Sequence, residues 1–201
     1  MAENNKVVLG VLSACSPQYV FVGKGKKVLS SLEINYSNGG NKTLPAVASC
    51  LEQAKMTIQD VDFFLALSGP GSLTGIRTGL SPIRAWGYAL NKPVMALPTC
   101  DVMTHGIIRP VVAIIPSRTN EYWVQTFTDN MSEVPMIINA SSLDAYDIEG
   151  YTWMSPKELS PTNASFVLSS PKPEQALELS METQAQSWMR ALPKYLFEME
   201  V

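Results

Sequence analysis

Residues 68–80 read SGPGSLTGIRTGL. Two chemistries suit glycines, a proline and hydroxyls placed between a strand and a helix. Backbone N–H groups of a glycine-rich loop at a helix N-terminus can cradle phosphate, and a serine there can act as a nucleophile if a base stands beside it. The run departs from the specific frames of both. No lysine follows the glycines, as G-x-x-x-x-G-K-[ST] requires, and Thr74 stands where G-x-G-x-x-G has its third glycine. Ser72 has Pro70 and Thr74 in place of the two glycines of G-x-S-x-G. The competing reading is a turn that only shapes the backbone, with Gly69, Pro70, Gly71, Ser72 and Thr74 setting its course.

Other reactive groups are sparse. His105 is the single histidine and is expected near a helix end. Asp60 and Asp62 are not read as an acid–base pair, and Asp144, Asp147 and Glu149 read as solvated surface. Cys15, Cys50 and Cys100 lie far apart, form no C-x-x-C pair and are odd in number, which argues against a disulfide framework. No catalytic residue, metal ligand set or cofactor is assigned. An enzymatic alternative stays open, an actin-fold phosphotransferase or hydrolase using residues 68–75 on a nucleotide. It needs acidic residues at strand ends to hold magnesium.

Formal charge is −3 and the pI about 5.2. The longest cationic cluster, Lys24, Lys26 and Lys27, reads as a hairpin turn, so unaided nucleic-acid binding is not expected. VVLGVLSAC (7–15) ends like a lipobox, but MAENNK before it carries no net positive charge, so a buried first strand is the better reading. No apolar run reaches the roughly 18 residues of a membrane span.

The elements that would carry these groups follow from periodicity. Val7–Leu12 is continuously apolar, as a strand buried on both faces should be. Strands over Tyr19–Val22 and Val28–Tyr36 flank the turn GKGKK. The spacing predicts a helix over 43–56, capped by Thr43 with Pro45 in its first turn. A strand over Val61–Leu67, the glycine loop, a helix over Thr74–Leu90 and a strand over Val94–Leu97 come next. Pro82 predicts either a kink or a second helical segment starting there.

The order βββαβα is the repeat unit of the ribonuclease-H/actin-like fold. An α/β chain of two lobes is therefore expected, with mixed sheets and flanking helices. The lobes divide into 1–108 and a smaller 109–201. In the second half, Val111–Ile115, Tyr122–Phe127, Met136–Asn139 and Phe166–Ser169 read as strands, residues 155–173 as loop around the last of these, and Ala176–Leu192 as a helix. No internal sequence repeat is evident.

Gly75 and Gly79 share one face of the second long helix, bordered by Ile76, Leu80 and Ile83. The preceding helix presents Leu44, Val47, Ala48 and Leu51. Periodicity alone assigns such small-residue faces to the core before an interface.

The run GPGSLTGIRTGLSPIRAWGYALNKPVMALPT (69–99) resembles the signature of the TsaB (YeaZ) family, GPGSFTGLRIGL followed by a small-residue helix and ALNIP. LPAVASCLEQA, SRTNEYWVQTF and ALPKYLFE resemble further family segments more weakly. The resemblance implies an ASKHA (actin-like) fold and a cytoplasmic, non-catalytic accessory subunit. Its implied partners are a TsaD-type catalytic subunit, a TsaE-type ATPase within the complex, or a second copy when alone. The complex forms threonylcarbamoyladenosine in tRNA, which this subunit would touch only indirectly. The family's partner surface maps to residues 43–55 and 74–90, hence to Leu44, Val47, Ala48, Leu51, Gly75, Ile76, Arg77, Gly79, Leu80 and Ile83. A bulky residue at Gly75 or Gly79 is then expected to abolish pairing and leave the fold intact. Four places depart from the family pattern: Leu12-Ser13-Ala14 for Asp-Thr-Ser, Gly39-Gly40-Asn41 for His-Ser-Glu, Pro116-Ser117 for Asp-Ala, and Pro82, which interrupts the partner helix. The alternative within this resemblance is a divergent TsaB-like homodimer with another partner.

Overall fold

The computed structural model describes residues 5–34, 42–117, 120–129, 131–133, 135–143, 150–159, 166–185, 187 and 189–193. In its first sheet, β1 (Val7–Leu12) is buried at every position and lies in the middle. A continuous apolar run suits that place, since both faces of a central strand are covered. β2 (Gln18–Lys24) and β3 (Lys27–Ile34) add antiparallel on one side, joined through Gly25 at φ 56°. β4 (Phe63–Gly69) and β5 (Val94–Pro98) add parallel on the other, each preceded by a crossover helix, α1 (Thr43–Gln53) and α2 (Leu73–Ala89). The sheet order is β3-β2-β1-β4-β5.

The second sheet holds β6 (Val111–Pro116), β7 (Glu121–Phe127), β8 (Met136–Asn139), β9 (Thr152–Ser155) and β10 (Phe166–Leu168), in the order β10-β9-β6-β7-β8. Its hairpins are antiparallel and its β6–β9 and β9–β10 pairs parallel. Each half thus builds the same topology, a meander of three strands and then two parallel additions. The repeat that is not evident in the residues is present in the backbone. β6 shows why both faces must be apolar: Val111, Ala113 and Ile115 enter the main core shared with the first sheet, and Val112 and Ile114 enter a second core with Tyr122, Val124, Leu143 and Trp153.

Several expectations change. Thr43 does not cap α1; it is its buried first residue, and Lys42 precedes it without a side-chain cap. Pro82 neither restarts nor ends α2, which runs through it. Proline deprives the carbonyl four residues back of its donor, and here that residue, Thr78, lines an open cleft. α3 (Thr99–Thr104) and β9 are absent from the expectation. α3 is short and five of its six residues are buried, so it has no amphipathic period to read.

α4 (Pro173–Glu182) begins earlier than expected, with Pro173 in its first turn and the Gln175 Oε1 accepting from the Lys172 N–H. It also ends ten residues short of Leu192, because Thr183 takes extended backbone and its hydroxyl donates to the Leu179 carbonyl. Although it belongs to the C-terminal half, α4 packs back on the first sheet, with Leu177 against Gly23. A cut between residues 108 and 109 therefore separates the two sheets, not this helix.

Candidate functional site

The glycine loop lies where open α/β sheets hold ligands, at the carboxyl end of a parallel strand and the start of a helix. Gly69 and Gly71 have φ of 111° and 149°, outside the range comfortable for side chains. A Cβ on Gly71 would stand 2.3 Å from the Ala14 carbonyl oxygen. The Ser72 N–H donates to that same oxygen at 2.7 Å. The Ser72 hydroxyl accepts from the Gly75 N–H at 3.2 Å and caps α2. The Ser13 hydroxyl donates to the Gly75 carbonyl at 2.7 Å. Two of the amides that would face an anion are therefore spent inside the protein, and the end of β1 is bonded to the start of α2.

Helix α2 comes this close because it has no side chain in the way. A Cβ on Gly75 would lie 2.0 Å from the Ser13 carbonyl oxygen, and one on Gly79 2.5 Å from the Ser13 Oγ. Leu12 and Ala14, which occupy acidic and hydroxyl positions of the family pattern, are both buried. Ser68 and Thr99, at the ends of β4 and β5, bury hydroxyls with no partner among the described residues. Asp60 and Asp62 sit at the opposite end of the sheet: Asp60 accepts from the Thr57 N–H and hydroxyl, and Asp62 from the Val7 N–H. Hydrogen bonds from Thr57 hold the Asp60 carboxyl below its usual range. Neither acid can reach the loop.

His105 follows α3 and meets Glu178 of α4 at 3.8 Å, beside Gln175, whose amide donates to the Met103 and His105 carbonyls. Burial pushes the Cys15 thiol up to about 12 and raises Cys100 too, so neither is a thiolate near neutral pH. Asp144, Asp147, Glu149, Arg118 and Gly39-Gly40-Asn41 lie outside the described residues.

The expected partner surface divides in two. Gly75, Ile76, Gly79, Leu80 and Ile83 of α2, with Val47 and Leu51 of α1, are buried in the chain's own core. Leu44, Ala48 and Arg77 face outward. Leu44 and Arg77 line an open cleft of about 310 Å³ between α1 and α2 with Thr43, Thr78, Ser81 and Pro82. Leu73 and Tyr88, at the ends of α2, add exposed apolar surface of 45% and 68%. These seven are accounted for within the chain's own core, while the other three lie on its surface. Leu73 and Tyr88 are absent from the expected surface, and the i, i+4 relation of Leu73 to Arg77 is the signal that would have placed Leu73 on its outward side.

Fold and site together define an actin-like chain of two sheets whose first strand is bonded to the glycine loop and whose helix pair presents a cleft outward. The family model for TsaD, tRNA N6-adenosine threonylcarbamoyltransferase, matches residues 38–147. The chain belongs to this family, and its fold over 95% of its residues is that of the YeaZ, or TsaB, type. YeaZ from Pseudomonas aeruginosa superposes with a TM-score of 0.74 at 18% identity, covering 95% of this chain and all of that one. An uncharacterized protein of Mycobacterium tuberculosis is 29% identical over 98 residues, 49% of this chain and 46% of that protein. The tRNA threonylcarbamoyladenosine biosynthesis protein TsaB of Buchnera aphidicola is 27% identical over 112 residues, 52% of this chain and 53% of that protein. These matches span about half the length of the curated relatives.

Proposed function

We propose that the chain is an accessory subunit in the formation of threonylcarbamoyladenosine in tRNA, and that the outward face of α1 and α2 docks a TsaD-type catalytic subunit. The carrying observation is the division of the helix pair. One face is consumed by the chain's own sheet, and the other presents Leu44, Arg77 and Pro82 around a cleft, with Leu73 exposed at the start of the same helix. Exposed apolar residues flanking an arginine are the composition that interface cores favour. The relatives' names, a tRNA threonylcarbamoyladenosine biosynthesis protein and a tRNA threonylcarbamoyltransferase, supply the pathway. In this reading a TsaE-type ATPase acts through the complex, and the same face pairs two copies when no partner is present. The loop from Gly69 to Gly75 then serves packing, since its amides at Ser72 and Gly75 are used internally.

Reconstitution tests it. Threonylcarbamoylation of a tRNA transcript by the TsaD- and TsaE-type proteins of the same organism should depend on this chain and fall at least tenfold with Leu44→Asp. Full activity without the chain would refute the reading.

A further inference from the structure

We propose that the end of the first sheet opposite the glycine loop is a contact surface for the phosphate backbone of RNA; as an assignment to tRNA this rests on the function proposed above. To the run Lys24, Lys26 and Lys27 the fold adds, at the same end of the sheet, Lys6, Lys55 and Lys92. Val7 is paired with Lys24, and the Gly25 N–H donates to the Lys6 carbonyl, so Lys6 lies against the β2–β3 turn. Lys55 follows α1 and Lys92 follows α2, and both helices descend to the strand starts at Phe63 and Val94. Among the described residues, the acids carried by these strand starts and helix ends are Glu52, Asp60 and Asp62; the last two already accept backbone N–H groups. A chain of formal charge −3 thus carries a local excess of positive charge.

Lys55 and Lys92 have an ordinary reason to be there, because cations complement helix C-termini, and Lys92 Nζ also donates to the Gln59 carbonyl. Lys27 starts the edge strand β3, where a charge also guards the open edge, but that role does not require three more lysines around the same turn. Lys24 and Lys27 are directly opposite each other across the hairpin, a like-charge cross-strand pair that is destabilising in itself. Lys6, Lys24, Lys26 and Lys27 are all exposed, and none pairs with a carboxylate of the described residues within 4.0 Å. A repelling cluster at an exposed turn is relieved by a polyanion whose charges repeat. Counterion release then makes each neutralised phosphate worth about 0.7–0.9 of slope in log affinity against log salt. The charge balance that argues against nucleic-acid binding averages over the whole chain and hides this end.

The test is fluorescence anisotropy of labelled tRNA with the full chain at 50 and 200 mM salt. Lys24→Glu, Lys26→Glu and Lys27→Glu together should weaken binding at least about tenfold and reduce the salt slope by about 2 to 3. The neutral triple exchange to glutamine, safer for folding, should give a smaller loss of the same kind. Unchanged affinity and slope in both variants, or equally tight binding to polyglutamate, would overturn the assignment. Pairing with a TsaD-type subunit, measured on the same variants, should be unchanged. Failure of pairing in the wild type with lysine-dependent tRNA binding would sink the proposed function and leave this inference standing.

Discussion

The inward and outward faces of the α1–α2 pair obey different rules. Inward, α2 approaches β1 so closely that a single methyl at Gly75 meets backbone oxygen at 2.0 Å. Outward, Leu44 and Arg77 border an open cleft and touch the solvent. Both faces carry the small and apolar residues that resemble a docking surface, yet the first is already filled by the chain's own sheet and the second is exposed. Small residues on a helix thus mark close approach without naming the neighbour, and here the neighbour of the glycines is the chain's own first strand.

Four substitutions would break or sharpen that contrast. Gly75→Leu should have the largest effect: with backbone on the far side nothing soft can yield, so a loss of about 4 kcal/mol or more is expected in urea unfolding. This reverses the expectation that such a change leaves the fold intact. Leu44→Asp should leave stability within about 0.5 kcal/mol and cost about 2 kcal/mol of pairing, roughly 30-fold in Kd by titration calorimetry. Ser13→Ala removes the donor to the buried Gly75 carbonyl and should cost about 1–2 kcal/mol of stability with pairing unchanged. Gly79→Ala is the mildest inward change, since the Ser13 Oγ at 2.5 Å belongs to a side chain that can rotate; a loss of about 1 kcal/mol is expected.

Burial gives a further check. With the Cys15 and Cys100 thiols held above their usual range, iodoacetamide at pH 8 should leave both unmodified in the native chain and label them on unfolding, as peptide mass mapping would read.

Much of this architecture is legible in the residues because the first half obeys simple periods. VVLGVL, VDFFLAL and the helix spacing from Leu73 to Leu90 each state their burial pattern locally. α3 and β9 are hidden because they are short and buried nearly throughout, so neither period shows. The end of α4 is hidden because apolar spacing continues past Glu182 while Thr183 turns the backbone away. The direction of the Gly75 face is not written in any local window; it depends on how closely Ser13 approaches across the sheet. Lys24, Lys26 and Lys27 are a cluster in the residues themselves, whereas the return of Lys6, Lys55 and Lys92 to the same end of the sheet is hidden for the same reason, since the hairpin and the two crossovers place them there.

The most direct test of the central claim is size-exclusion chromatography with light scattering on the chain mixed with the TsaD-type subunit of its own organism. The account predicts a stable complex of one-to-one or two-to-two stoichiometry for the wild type, and separate peaks for Leu44→Asp. A complex that forms equally well with Leu44→Asp and Arg77→Glu would contradict it, because the outward face would then not be the surface that docks.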